Sequence, residues 1–159
     1  MKKTRRFVAL LLAAVLALAL FTACGAAQPT IGEEYEKWFV EQVNSKRPAD
    51  KPVQKVDVKH SEMVAALAKI GEDGKFKARD GWDKDEQGNG FGESWYWQIL
   101  SDWDDDPADA VALTPENLTK YGPNYLTKKS YLNKIREYDI ATRVMDGKTY
   151  VAVYVHLEA

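Results

Sequence analysis

Few side chains in this 159-residue chain can serve as nucleophiles or transition-metal ligands: one cysteine, Cys24, and two histidines, His60 and His156. There is no G-x-S-x-G motif, and no local Ser–His or Cys–His pairing supports nucleophilic catalysis. His60 precedes a helical pattern and reads as a cap or surface residue. His156 closes an alternating segment and shares a face with Tyr150 and Tyr154, where the three would line a shallow cleft. Asp83-Lys84-Asp85-Glu86-Gln87-Gly88 places oxygen ligands and a glycine as a calcium loop does. Gln87 at its fifth position and Ser94 at its twelfth depart from that pattern, so the stretch reads as a solvated loop. The acidic run Asp102, Asp104, Asp105, Asp106 and Asp109 reads as a solvated turn. No cofactor or metal site is expected from these sets. Trp82, Trp95, Trp97, Trp103 and Tyr96 form the densest aromatic stretch. Aromatics dominate small cores. The functional alternative is a platform of Trp82, Trp95 and Trp97 for a sugar or peptide.

The lone cysteine has a chemistry of its own. Lys2, Lys3, Arg5 and Arg6 form a basic start, and Phe7 to Phe21 is an apolar run. A basic start followed by a short apolar core is the signal-peptide pattern. The run falls short of the ~20 apolar residues that span a bilayer. Phe21-Thr22-Ala23-Cys24-Gly25 then resembles the bacterial lipobox, in which the thiol takes a diacylglycerol and the chain is cut before it. Phe21 stands where that pattern prefers leucine, with Leu20 one place earlier. A single cysteine excludes a disulfide within the chain, and lipidation gives it a purpose. Stable anchoring takes more than one acyl chain, which a diacyl modification supplies. The expected organisation is a leader over residues 1–23, a lipidated tether over 24–32 and one domain over 33–159.

The leader holds four of the 22 basic residues and no acidic one. The remaining 136 residues therefore carry 18 basic against 24 acidic side chains, a net charge of −6. That balance argues against nucleic acid or an anionic bilayer surface as partner. The length fits one domain with its own core. Thr30-Ile31-Gly32-Glu33 fits a capping box, followed by Tyr35, Trp38, Phe39 and Val43 at helical spacing. A helix is expected from about Gly32 to Lys46, ended by Pro48 and Pro52. Ser61 reads as the cap of a second helix carrying Met63, Val64, Leu67, Ala68 and Ile70. Residues 72–94 read as a long loop. Trp95 to Leu100 reads as a strand, with a short helix as the alternative; as a strand it puts Trp95 and Trp97 on one face and Tyr96 on the other. Thr114-Pro115-Glu116-Asn117 reads as a helix start, and Ser130 to Glu137 as a further short helix. Ile140 to Met145, Asp146-Gly147 and Lys148 to Leu157 read as a hairpin with a type I′ turn. The expected class is α+β: a small single domain with helices packed on an antiparallel sheet and a C-terminal β-hairpin.

Three fragments resemble the CAP superfamily, the cysteine-rich secretory, antigen 5 and pathogenesis-related proteins. Val43-Asn44-Ser45-Lys46-Arg47 with Pro52-Val53 looks like its first-helix signature. Gly92-Glu93-Ser94 looks like its Gly-Glu-Asn, and Ile140 to Val144 with Tyr150 to Val155 like its closing hairpin. The resemblance spans about residues 33–157. It implies a cleft holding two histidines and acidic residues, but no histidine occurs in Phe76-Lys77-Ala78-Arg79 or Lys128-Lys129-Ser130-Tyr131, where the family carries them. Only Glu93 carries over, in a cleft with Tyr150, Tyr154 and His156. The resemblance and the leader together imply a lipid-anchored, non-catalytic binding module on the outer face of the cell membrane. Its expected partners are the membrane, through lipid on Cys24, and an envelope protein, peptide or glycan. One alternative is a hydrolase of cell-wall peptide or polysaccharide that uses Glu93. Another is an unrelated α+β lipoprotein that binds substrates or assists assembly.

Overall fold

The computed structural model describes residues 28–75, 89–102, 109–121 and 129–158. The leader, Cys24, Trp82, Trp103, the calcium-like Asp83–Gly88 stretch and Gly122-Pro123 lie outside them. The elements run α1 (Ile31–Asn44), β1 (Gln54–Lys55), α2 (His60–Leu67), β2 (Asn89–Phe91), β3 (Trp95–Ile99), β4 (Ser101–Asp102), β5 (Asp109–Ala110), α3 (Lys129–Leu132), β6 (Ile135–Met145) and β7 (Lys148–Leu157). The fold is a small α+β domain. A five-stranded sheet in the order β1-β6-β7-β3-β2 forms its middle layer, and β4 pairs with β5 apart from it. The sheet is mixed rather than antiparallel, because β1 runs parallel to β6 along one edge.

α1 forms where the capping box placed it. Thr30 Oγ1 accepts from the Glu33 N–H, and the Glu33 carboxylate accepts from the Thr30 N–H at 2.7 Å. That backbone hydrogen bond, then the one from the Thr30 hydroxyl, holds the Glu33 carboxyl below its ordinary range. Tyr35, Phe39 and Val43 are buried against Ile135, Tyr138, Ile140, Val151, Val153 and Val155 on one face of the sheet. α2 covers the other face, where Met63, Ala66 and Leu67 meet Trp97, Ile99, Ala141, Ala152 and Tyr154. One helix on each face makes three layers and two cores. The alternation along β7 is as expected: Val151, Val153 and Val155 belong to the α1 side, Tyr150, Ala152 and Tyr154 to the α2 side. The β6–β7 turn has Asp146 and Gly147 at φ 50° and 72°, as a type I′ hairpin requires.

Four local expectations are corrected. Residues 135–139 belong to β6, and the helix before them is only Lys129–Leu132. A register shift between Ile135 and Glu137 marks a bulge, which breaks the period-two alternation that would have revealed the strand. Ser61 does not cap α2: the helix starts at His60 with no side-chain cap. Thr114 opens a turn rather than a helix, because the Asn117 amide closes on it, accepting from Thr114 N–H at 2.7 Å and donating to the Ala112 carbonyl. The segment 72–94 is interrupted by β2, whose Gly90 pairs with Trp97. A side chain at Gly90 would collide with the Trp97 indole, so the glycine lets the ring lie across the strand.

The Tyr35 hydroxyl is buried and has no hydrogen-bond partner among the described residues. Burial drives its pKa strongly upward. An unsatisfied buried hydroxyl costs about 1–3 kcal/mol, so Tyr35→Phe is expected to leave the fold intact and raise its stability by roughly 1 kcal/mol. Urea unfolding of the two proteins checks this. A loss of stability would mean that the hydroxyl has a partner after all.

Candidate functional site

The sheet face under α2 changes character along its length. Near the hairpin tip it is apolar. Toward the start of β6 it becomes polar, and the change follows from which residues share a rung. Glu137 of β6 lies opposite His156 of β7, which lies opposite Trp95 of β3. One rung further in, Asp139 lies opposite Tyr154, and Tyr154 opposite Trp97. Side chains two apart on a strand share a face. Glu137 and Asp139 therefore lie together on the α2 side, while the register shift between Ile135 and Glu137 leaves Ile135 on the α1 side.

Two histidine–carboxylate pairs result. His156 Nδ1 lies 2.8 Å from Glu137 Oε2, with the side chains 32% and 22% exposed. His60 Nδ1 lies 2.9 Å from Asp139 Oδ2, with the imidazole 47% and the carboxylate 2% exposed. Asp139 Oδ1 also accepts from the Ile140 N–H at 2.8 Å. A buried carboxylate needs such partners. The pair also ties the first residue of α2 to the sheet. When His60 donates Nδ1–H to Asp139, Nε2 is left as an acceptor. His60, Asp139, Lys55, Val56 and Asp57 line a shallow hollow of ≈ 470 Å³.

Trp95 and Tyr154 complete the cluster. Their ring centroids are 6.4 Å apart, and the Lys59 ammonium sits 4.4 Å from the centroid of the Trp95 ring. Lys59 is bound to Glu62 at 2.6 Å as well. Burial, and then the negative charge of Glu137, push the Tyr154 phenol above its ordinary range. The cluster thus offers a half-buried indole, an ammonium, two oriented imidazoles and two carboxylates. It is equipped to exchange hydrogen bonds with a polar ligand and to move a proton at an imidazole nitrogen.

The sequence-expected residues divide. Tyr154 and His156 do lie together, on adjacent positions of one face. Tyr150 does not join them. It is buried opposite Arg143, toward the hairpin tip, and its hydroxyl lies by Gly74. Glu93 is exposed, and no hydrogen bond or ion pair ties it among the described residues. Of the platform, Trp97 is buried in the core at 6% exposure, and Trp95 is partly buried. His60 is neither a cap nor a free surface residue but half of a hydrogen-bonded pair with Asp139. Glu137, Asp139 and Lys59 were not anticipated. The signal that could have found the first two is an extended reading of residues 135–139, with two carboxylates at alternate positions facing a strand that carries a histidine. Among the described residues, no group of three or more His, Cys, Asp or Glu is arranged to hold a metal ion.

Removing the imidazole leaves the buried Asp139 carboxylate with one backbone donor. His60→Ala is therefore expected to destabilise the domain by about 1–2 kcal/mol, a figure reduced by the half-exposure of the imidazole. Asp139→Asn, which keeps an acceptor and removes the buried charge, is expected to lose less. Chemical denaturation of both variants decides the order, and the reverse order would contradict this account of α2 docking.

No family model, curated protein or solved structure matches this chain.

Proposed function

We propose that this chain is a lipid-anchored binding module of the bacterial cell envelope, held by a diacylglyceryl group on Cys24. Its binding site is the cluster at the start of β6. The observation that carries the binding reading is the pairing of both histidines in the chain with carboxylates on one sheet face, beside Trp95 and Lys59. A cluster of charged and aromatic side chains that keeps part of its surface open is the usual makeup of a contact site. The anchor rests on the leader and on Phe21-Thr22-Ala23-Cys24. No described helix is long and apolar enough to cross a membrane.

The CAP resemblance belongs to the same proposal. It is supported by a helix on each sheet face, by the closing hairpin and by the work of the Val43-Asn44-x-x-Arg47 segment. Asn44 Oδ1 accepts from the Val53 N–H at 2.8 Å, and the Arg47 guanidinium ties the end of α1 to β6. The exposed Glu93 gives it no support.

The test uses the purified protein and isolated cell-wall polymer from the producing bacterium. Co-sedimentation of wild type with the polymer, reduced at least several-fold by Trp95→Ala together with His156→Ala, is the expected result. Undiminished co-sedimentation of a folded double variant would remove the cluster from the binding reading. A hydrolytic reading has one specific observation in its favour, the buried Asp139 orienting a half-exposed His60 at the hollow. Release of soluble wall fragments by wild type but not by a folded His60→Ala protein would favour it.

A further inference from the structure

The tether enters the domain at one end and the site lies at the other. Chain segment 28–30 leads into α1 at Ile31, and Gly32 in its first turn packs against Thr142. Thr142 lies three residues from the end of β6, in the half of the strand that leads to the hairpin tip, where Met145 pairs with Lys148. The far end of α1 is fixed just as firmly. Arg47, three residues beyond it, donates to the carbonyls of Ile135 and Asn133 and pairs with Glu158. α1 therefore runs alongside β6, from the hairpin-tip end to the end that holds Glu137, His156 and Trp95.

The geometry points to the β6–β7 hairpin tip as the surface turned toward the bilayer, with the histidine–carboxylate cluster facing away from it. This rests on lipidation of Cys24. Six residues, 25–30, separate the lipidated cysteine from α1. Fully extended they reach roughly 20 Å. α1, with 14 residues, is itself about 21 Å long. Turning the cluster onto the membrane would require the tether to run back along the whole helix and further, with no slack left. Turning the tip onto it requires almost none.

The tip suits that position. Val144 is 68% exposed there, an apolar side chain open to solvent. Asp146 and Lys148 flank the tip with opposite charges, and Glu33 and Glu34 in the first turn of α1 are acidic, so the tether rather than attraction to anionic headgroups sets the orientation. The bilayer is then the partner of the tip. Whatever binds the cluster approaches from the opposite side and is not membrane lipid.

The chain allows a clean measurement, because lipid on Cys24 leaves an introduced cysteine as the only free thiol. Val144→Cys at the tip and Asn133→Cys at the far end are both exposed sites. Each lipidated protein is labelled with a fluorophore and reconstituted into phosphatidylcholine vesicles containing a headgroup nitroxide lipid. Several-fold stronger quenching at residue 144 than at residue 133 is expected. Equal quenching, or stronger quenching at 133, in protein that floats with the vesicles would overturn the orientation alone. Protein that lacks the lipid and fails to float would overturn the anchor and the orientation with it.

Discussion

Arg47→Ala lowers the stability of the domain by about 2–4 kcal/mol, from the loss of several hydrogen bonds made by one charged group. The guanidinium is almost entirely buried, at 4% exposure. Its Nε donates to the Lys51 carbonyl at 2.8 Å, and Nη1 donates to the carbonyls of Asn133 and Ile135. Alanine would leave three carbonyl acceptors without this donor and would release the end of α1 from the start of β6. The pair with Glu158 adds little, because that carboxylate is 48% exposed. Lysine is not expected to rescue, since one ammonium cannot reproduce a planar fork that reaches three backbone groups. Thermal and urea unfolding of the two variants against wild type measure the effect. A change below half a kcal/mol for Arg47→Ala would show that the clamp is dispensable.

Cys24→Ala moves the protein out of the membrane fraction or leaves its leader uncut. Each buried methylene of an acyl chain contributes about 0.8 kcal/mol, and two chains together make attachment effectively stable. Nothing in the composition replaces that attraction, because the chain after the leader is acidic at −6. Fractionation of cells, with an immunoblot that resolves cut from uncut protein, gives the answer. A variant that is cut normally and still sediments with membranes through a carbonate wash would refute lipid anchoring.

The elements that the sequence disclosed are those whose signal is local. The Thr30–Glu33 box, the Tyr35/Phe39/Val43 stripe and the Asp146-Gly147 turn each carry their own chemistry within a few residues, and each forms as read. The elements that escaped depend on partners far along the chain. β2 is a strand because the Trp97 indole lies across Gly90, although Asn-Gly-Phe has little preference for strand on its own. The first residue of α2, His60, is held by Asp139, 79 residues later. The first half of β6 was hidden by its bulge. The candidate site suffered most from the last two, since both carboxylates lie on that half-strand. His156 and Tyr154 were legible because the β7 alternation is undisturbed. Tyr150 shares the correct face with them, but a strand 10 residues long has two ends, and only the β6 register shows that Tyr150 lies toward the other.

Mass spectrometry of the protein purified from its own membranes tests the central claim most directly. Lipid anchoring predicts a mature chain that begins at Cys24 and an N-terminal peptide heavier than its sequence by a diacylglyceryl group. An N-terminal peptide with an unmodified Cys24 thiol, or a chain that retains residues 1–23, would contradict it.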